Sequence, residues 1–273
     1  MKGNIHFLAP LLLLILVQLV ASKKINSIFS QGKPDPSIPL GMVKDAVDDM
    51  YSDCKAKMSE KVKDKYFKEE NKELFKKVWR NAKKCAERNV RHKEKGDEAL
   101  TKEHLQAICV YTSGNQMFYD QFNRAVRTSR EEYGTTFPFH SLHFWLTSAI
   151  QVLNPKKQCL TSYRRTNTKF TGQVNQMIRF GYFASSSRST KLTQFGTKTC
   201  FEINTCHGAY LKKYPHLKDH EEEVLIPPYE IFKISKEMKN KHKAKLGDCK
   251  VVYVLKSIGT YSNLNCKAAK LDQ

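Results

Sequence analysis

Much that would assign this chain quickly is missing from it. There is no G-x-G-x-x-G and no phosphate-binding P-loop glycine pattern, so the common nucleotide-binding turns are absent. There is no G-x-S-x-G, which disfavours a serine hydrolase, and no H-E-x-x-H or paired C-x-x-C, which leaves a zinc site without its usual spacing. No internal repeat and no N-x-S/T sequon occur, so a solenoid and conventional N-glycosylation are not expected. Only one long apolar run exists, near the start, and mean hydropathy is −0.55, which excludes a multi-span membrane protein. Acidic residues are scarce beside basic ones: Asp+Glu 27 against Lys+Arg 47, a formal charge of +20. Such a balance predicts attraction to polyanions, without choosing between nucleic acid, sulfated glycan and anionic lipid.

What is present is enough for a packed protein. With 273 residues and 40% hydrophobic side chains, the chain has material for one or two ordinary cores, and disorder is excluded as its main state. Lys2, the apolar run 11–17, then Val20-Ala21-Ser22 and Lys23-Lys24 read as a cleaved secretory signal over 1–22. Its removal takes one lysine, leaving 20 − 1 = +19. After Cys266 come only seven residues, Lys267 to Gln273, without an apolar tail. A lipid-anchor signal is therefore not expected, and the mature chain is predicted to be soluble, without a membrane span. Eight cysteines, at 54, 85, 109, 159, 200, 206, 249 and 266, imply four disulfides in a secreted chain. Spacing leaves their connectivity open, though Cys54 and Cys266 lie near the two ends.

Residues 23–40, with Gly32, Pro34, Pro36 and Pro39, read as an extended lead-in. Helical periodicity follows. Val43, Val47, Met50, Tyr51, Cys54, Met58 and Val62 predict one amphipathic helix, and Leu74, Phe75, Val78, Trp79, Ala82 and Cys85 a second. Shorter helices are predicted over 101–111, with Thr101 as N-cap and His104 where a capping box would want Glu, over 115–127, and over 140–153. After Pro155, β-prone runs at 159–164, 176–183, 198–203, 224–235 and 249–257 take over. A helical part over about 41–155 and a strand-rich part over about 156–266 predict an α+β fold rather than an alternating one.

Four features invite chemistry. His220-Glu221-Glu222-Glu223 precedes an apolar strand; extended backbone would point Glu221 and Glu223 the same way, over one site. Taken alone, it is more simply a solvated charge run at a strand edge. Ser185-Ser186-Ser187 closes a β-prone run, where serines are usually turn formers. Tyr163-Arg164-Arg165 is either surface charge or a phosphate clamp. His216 and His220 lie four apart, but Pro215 argues against a zinc-binding helix, and His140 and His143 read as packing residues. The basic run 236–245 reads as a solvated loop, with polyanion binding second.

In order, Arg164, Ser185-x-Ser187 and Glu221-x-Glu223 resemble the R-S-E-x-E signature of the arginine-specific ecto-ADP-ribosyltransferases of vertebrates. The segments Val47-Asp48-Asp49-Met50-Tyr51, Phe201-Glu202-Ile203-Asn204-Thr205-Cys206 and Val224-Leu225-Ile226-Pro227-Pro228-Tyr229-Glu230 also look like family segments in the family's order. The resemblance spans roughly 43–266. It implies a helical N-terminal subdomain packed on a mixed β-sandwich that holds NAD in a cleft, within one catalytic domain over 41–273. By the same resemblance Arg164 grips the cofactor's phosphates, Ser185 orders the site, Glu223 is the catalytic glutamate and Glu221 confers arginine preference. Phe195, in Gln194-Phe195-Gly196, matches an aromatic that stacks near nicotinamide. Cys54 with Cys266 and Cys159 with Cys206 match the family's two bridges, leaving 85 with 109 and 200 with 249 as one pairing of the rest. Arg165 departs from the pattern, standing where the family commonly has glycine, which argues against close backbone approach to NAD there.

The resulting expectation is a secreted, extracellular mono-ADP-ribosyltransferase that moves ADP-ribose from NAD (or NADP) to arginine side chains of extracellular proteins, releasing nicotinamide and needing no metal. Its expected partners are NAD, arginine-bearing extracellular proteins and heparin-like polyanions, with no specific nucleic acid. The alternatives are a predominant NAD glycohydrolase and a catalytically inactive, basic polyanion-binding protein.

Overall fold

The computed structural model describes residues 36–239 and 245–270; the predicted signal at 1–22 and most of the lead-in lie outside the described residues. Ile38–Gln273 forms one compact unit, and of the unit before it, Met1–Ser37, only positions 36 and 37 are described.

Helices come first. Helix α1 (Lys55–Lys61) runs on through a π turn, Val62–Tyr66, into Phe67–Glu70, and is followed by α2 (Glu73–Asn81), α3 (Lys83–Arg91), α4 (Lys102–Tyr111), α5 (Gln116–Thr128) and α6 (His140–Leu153). The start of α4 behaves as its sequence predicts. Thr101 accepts from the His104 amide, and the His104 ring accepts from the Thr101 amide, so a histidine completes the capping box usually closed by glutamate. Helix α6 is apolar almost all round and is buried from His140 to Ile150, as expected of a central helix. Around it Phe67, Phe75, Trp79, Phe118, Phe122 and Phe139 interlock with its own Trp145, Trp79 stacking on Trp145 at 4.8 Å between ring centroids. Each fully buried aromatic of this kind contributes about 1.5–3 kcal/mol of burial.

Strands follow: β1 (Leu160–Thr166), β2 (Met177–Ile178), β3 (Ala184–Ser187), β4 (Thr199–Thr205), β5 (Ala209–Tyr210), β6 (Glu223–Ile226), β7 (Glu230–Lys239) and β8 (Val251–Thr260). They form one eight-stranded mixed sheet in the order β2-β7-β8-β4-β1-β3-β6-β5, in which β8 and β4 pair in parallel and the other neighbours antiparallel. Side chains from β2, β7, β8 and β4 (Ile178, Phe232, Tyr253, Phe201) share a core with Ala184 of β3 and Ile226 of β6. The β2 edge and the β3–β6 part of the sheet therefore face a common interior, while Ala209 of the far edge, β5, packs against the helices. On β6 the pleat alternates: Ile226 enters that interior, while Leu225 packs against the helices.

The α+β fold stands, with corrections in detail. The helix predicted from Val43 begins only at Lys55, and Val43, Tyr51 and Asp53 have positive φ of 45°, 56° and 69°. Two buried carboxylates shape this irregular stretch. Asp48 accepts from the amides of Asn263 and Leu264 and pairs with Arg179 at 2.6 Å, while Asp49 accepts from the amides of Tyr51 and Cys266 and from the Tyr133 hydroxyl. The second predicted helix is two, broken at Ala82. The run 176–183 yields only Met177–Ile178, because Arg179 turns inward to Asp48 and the carbonyls of Met42 and Val43. Pro227 and Pro228, which lack amide donors, split 224–235 into β6 and β7. Ser185–187, read as turn formers, lie instead in β3, paired with β6.

Four disulfides join Cys54 to Cys266, Cys85 to Cys109, Cys159 to Cys206 and Cys200 to Cys249, the pairing set out above. The first joins positions 212 apart in sequence, beside the amides held by Asp48 and Asp49 and the Ser52 amide donating to Asn265 at 3.0 Å.

Candidate active site

Antiparallel register builds the centre of a cleft of about 350 Å³. Glu223 opens β6 opposite Ser187, and Leu225 lies opposite Ser185 on β3. Ser185 and Glu223 are thus diagonal neighbours on one face, near enough for the serine side chain to hydrogen-bond the carboxylate. Glu223 is only 6% exposed. Burial is the main cause pushing its carboxyl up to about 7; the Ser185 hydrogen bond opposes the rise, nearby Glu221 adds to it and Arg164 opposes it.

On β1, the Arg164 guanidinium donates to the Ser185 carbonyl at 2.5 Å and lies 5.9 Å from the Tyr182 ring centroid. Arg165 also lines the cleft, but its guanidinium is taken up by Asp248 and the Thr190 carbonyl. The adjacent arginines are therefore not one guanidinium pair, as alternation along a strand requires.

Glu221 lines the same cleft as Glu223, but extended backbone does not align them. Glu221 precedes the strand, and Glu222 between them has a φ of 43°. The turn is held by Ser187, whose hydroxyl donates to the Glu221 carbonyl at 2.6 Å, and by the Arg188 amide, which donates to the Glu222 carbonyl. Phe195 ends a short 3₁₀ turn, Thr193–Phe195, at the cleft rim and is 47% exposed. Gly196 fixes that turn: its φ is 119°, and a Cβ there would come within 2.5 Å of the Asn167 amide nitrogen.

Arg164, Ser185, Glu221, Glu223 and Phe195 thus line one cleft. Tyr111 of α4, Tyr119 of α5 and Leu217 also line it, and sequence reading missed them. Tyr119 hydrogen-bonds the Arg164 side chain, a link with no local signal because the two stand on different elements. The histidines fall as packing residues: His140 bonds Glu70, and His143 lies between the Tyr51 hydroxyl and the Val47 carbonyl. Among the described residues no group of three or more His, Cys, Asp or Glu is placed to hold a metal.

The model of the family described as NAD:arginine ADP-ribosyltransferase matches residues 40–249. The chain belongs to that family. Ecto-ADP-ribosyltransferase 5 of Rattus norvegicus is 35% identical over 215 residues, 73% of this chain and 68% of the rat protein. The erythroblast NAD(P)(+)–arginine ADP-ribosyltransferase of Gallus gallus is 30% identical over 271 residues, 96% of this chain and 87% of its own length. Among solved structures, the eukaryotic mono-ADP-ribosyltransferase ART2.2 aligns at a TM-score of 0.70 with 32% identity, covering 85% of this chain and 99% of that one; a variant of ART2.2 is known in complex with NADH. As an NAD:arginine ADP-ribosyltransferase the chain uses NAD as co-substrate. Its four disulfides fit an oxidising, extracellular setting, and no described helix is long and apolar enough to cross a membrane.

Proposed function

We propose that Arg164, Ser185, Glu221 and Glu223 carry the transfer of ADP-ribose from NAD to arginine in this cleft, with Phe195 against the nicotinamide. The observation that carries the assignment is Glu223, a buried carboxylate that opens onto a cleft and whose one described side-chain donor is Ser185. Such a group has free acceptor capacity for a ribose hydroxyl. The cleft suits NAD in other respects: a guanidinium for phosphate, serine hydroxyls, and an exposed aromatic face at the rim.

Breaking the nicotinamide–ribose bond builds positive charge on the ribose, and the Glu223 carboxylate is complementary to that oxocarbenium-like state. Ser185 holds the carboxylate in register. An arginine substrate is a poor nucleophile because its pKa exceeds about 12. Glu221 aligns the guanidinium by paired hydrogen bonds and accepts its proton as the new bond forms. Without that group water wins, and the outcome is NAD hydrolysis.

The targets we propose are arginine-bearing extracellular proteins, met by a secreted enzyme; the excess of Lys+Arg 47 over Asp+Glu 27 supports additional retention on heparin-like polyanions. Incubation with labelled NAD and agmatine tests the reading. ADP-ribosyl-agmatine is the expected product. Nicotinamide release that does not rise with agmatine would make the chain a glycohydrolase, and absence of both products at saturating enzyme would defeat the assignment.

A further inference from the structure

Arg165 stands where the family resemblance has glycine, and its side chain, 5% exposed, is fully engaged. Nη1 and Nη2 donate to the two Asp248 oxygens at 2.7 and 2.9 Å, Nε and Nη2 donate to the Thr190 carbonyl at 3.1 and 2.7 Å, and Nη1 also lies 3.3 Å from Cys249 Sγ. Two chain segments meet on this guanidinium. Thr190 leads into the stretch that presents Leu192 and Phe195 to the cleft. Asp248 precedes Cys249, which is bonded to Cys200, and Cys200 is the direct register partner of Arg165 across β1 and β4. The disulfide thus holds the Asp248 turn over Arg165, and Arg165 passes that fixed point on to the cleft wall. The guanidinium in turn holds the Asp248 carboxyl below the usual carboxylate range.

We infer that Arg165 is a positioning residue for NAD: by clamping Thr190 to the disulfide-held turn at Asp248, it fixes the wall that carries Leu192 and Phe195 before the dinucleotide arrives. This rests on the reading of the cleft as the NAD site. A wall ordered in advance spares the ligand the cost of ordering it, so the effect falls on NAD binding rather than on the chemical step. The planar guanidinium meets both Asp248 oxygens in a fixed fork while its other edge reaches Thr190, a geometry that the compact ammonium of lysine does not reproduce.

The test is steady-state kinetics of ADP-ribosyl-agmatine formation in the full chain. Arg165→Gly is expected to raise KM for NAD about tenfold, with kcat within about twofold and KM for agmatine unchanged. Arg165→Lys should recover less than half of that loss. Asp248→Asn, at a side chain 42% exposed, keeps a carbonyl acceptor for the guanidinium and should raise KM for NAD about threefold. The double variant should be no worse than Arg165→Gly alone, because both changes break one contact. A KM for NAD that is unchanged or lower in Arg165→Gly overturns the inference, as does a loss confined to kcat. Should that variant not fold, an unchanged KM in Asp248→Asn overturns it equally. A parent enzyme that releases no nicotinamide defeats the NAD reading itself, and this role with it; an active parent with unaltered variants defeats the role alone.

Discussion

Two sets of buried carboxylates divide this molecule. Those of the frame are crowded with donors. Glu70 accepts from the amides of His140 and Ser141, the His140 ring and the Ser141 hydroxyl, and so closes the start of α6. Glu230 accepts from Thr205, Ser257 and the amides of Cys206 and His207. Asp48 and Asp49 gather residues 262–266 in the same way. Glu223, in the cleft, is as buried as these, yet Ser185 is the only side-chain donor described for it. Donors can lose to burial, since Asp49 is pushed up to about 6 by desolvation despite three of them. The difference lies in what remains free: a frame carboxylate has spent its lone pairs on the chain, and Glu223 has kept them for something that enters.

The contrast can be broken from either side. Asp48→Asn should cost the most, about 3–5 kcal/mol, because it strands the fully buried Arg179 guanidinium; denaturant unfolding measures this, and a loss below about 1 kcal/mol would mean the pair does little to hold the frame. Glu223→Gln should lower both transfer and NAD hydrolysis about a hundredfold or more, some 2.7 kcal/mol of barrier, with the fold intact by circular dichroism. Stability should move the other way. Because burial pushes the Glu223 carboxyl up to about 7, above its ordinary 4.5, its contribution to stability is fully present below pH 4.5 and is lost as pH rises through 7. Relative to the parent, the Gln variant should therefore gain stability between about pH 5 and pH 8, and no gain would mean the carboxyl is not raised. The same ionisation predicts that parental kcat/KM for NAD climbs with pH to a plateau above about 7.

Glu221→Gln sharpens the comparison within the cleft. Transfer to agmatine should fall about tenfold or more while slow NAD hydrolysis survives, and equal loss of both would show that Glu221 does not ready the arginine. The smallest effect belongs to the frame's surface. Thr101→Ala should cost about 1 kcal/mol by removing the α4 cap, read as a lowered melting temperature with turnover unchanged.

Local chemistry made part of this legible. Thr101 with His104, the apolar wrap of α6, and the ordered Arg164, Ser185, Glu221 and Glu223 are all readable where they stand, because capping, burial and motif order are short-range signals. The stretch 43–54 was not, since its apolar residues recur at helical intervals while Asp48 and Asp49 answer to amides more than two hundred positions away. Arg164 and Arg165 look alike in sequence; Asp248 and Tyr119, from distant segments, give them different work. Serines 185–187 read as a turn because the strand they pair with lies beyond any local window.

The bridge from Cys54 to Cys266 has a mechanical consequence. Tension applied to the body at those two residues runs through one covalent bond, and the 212-position span between them, which contains the whole eight-stranded sheet and the cleft, carries none of the load. Pulled by those points in a force experiment, the oxidised protein should barely lengthen, and a reductant should release the extension of a full domain.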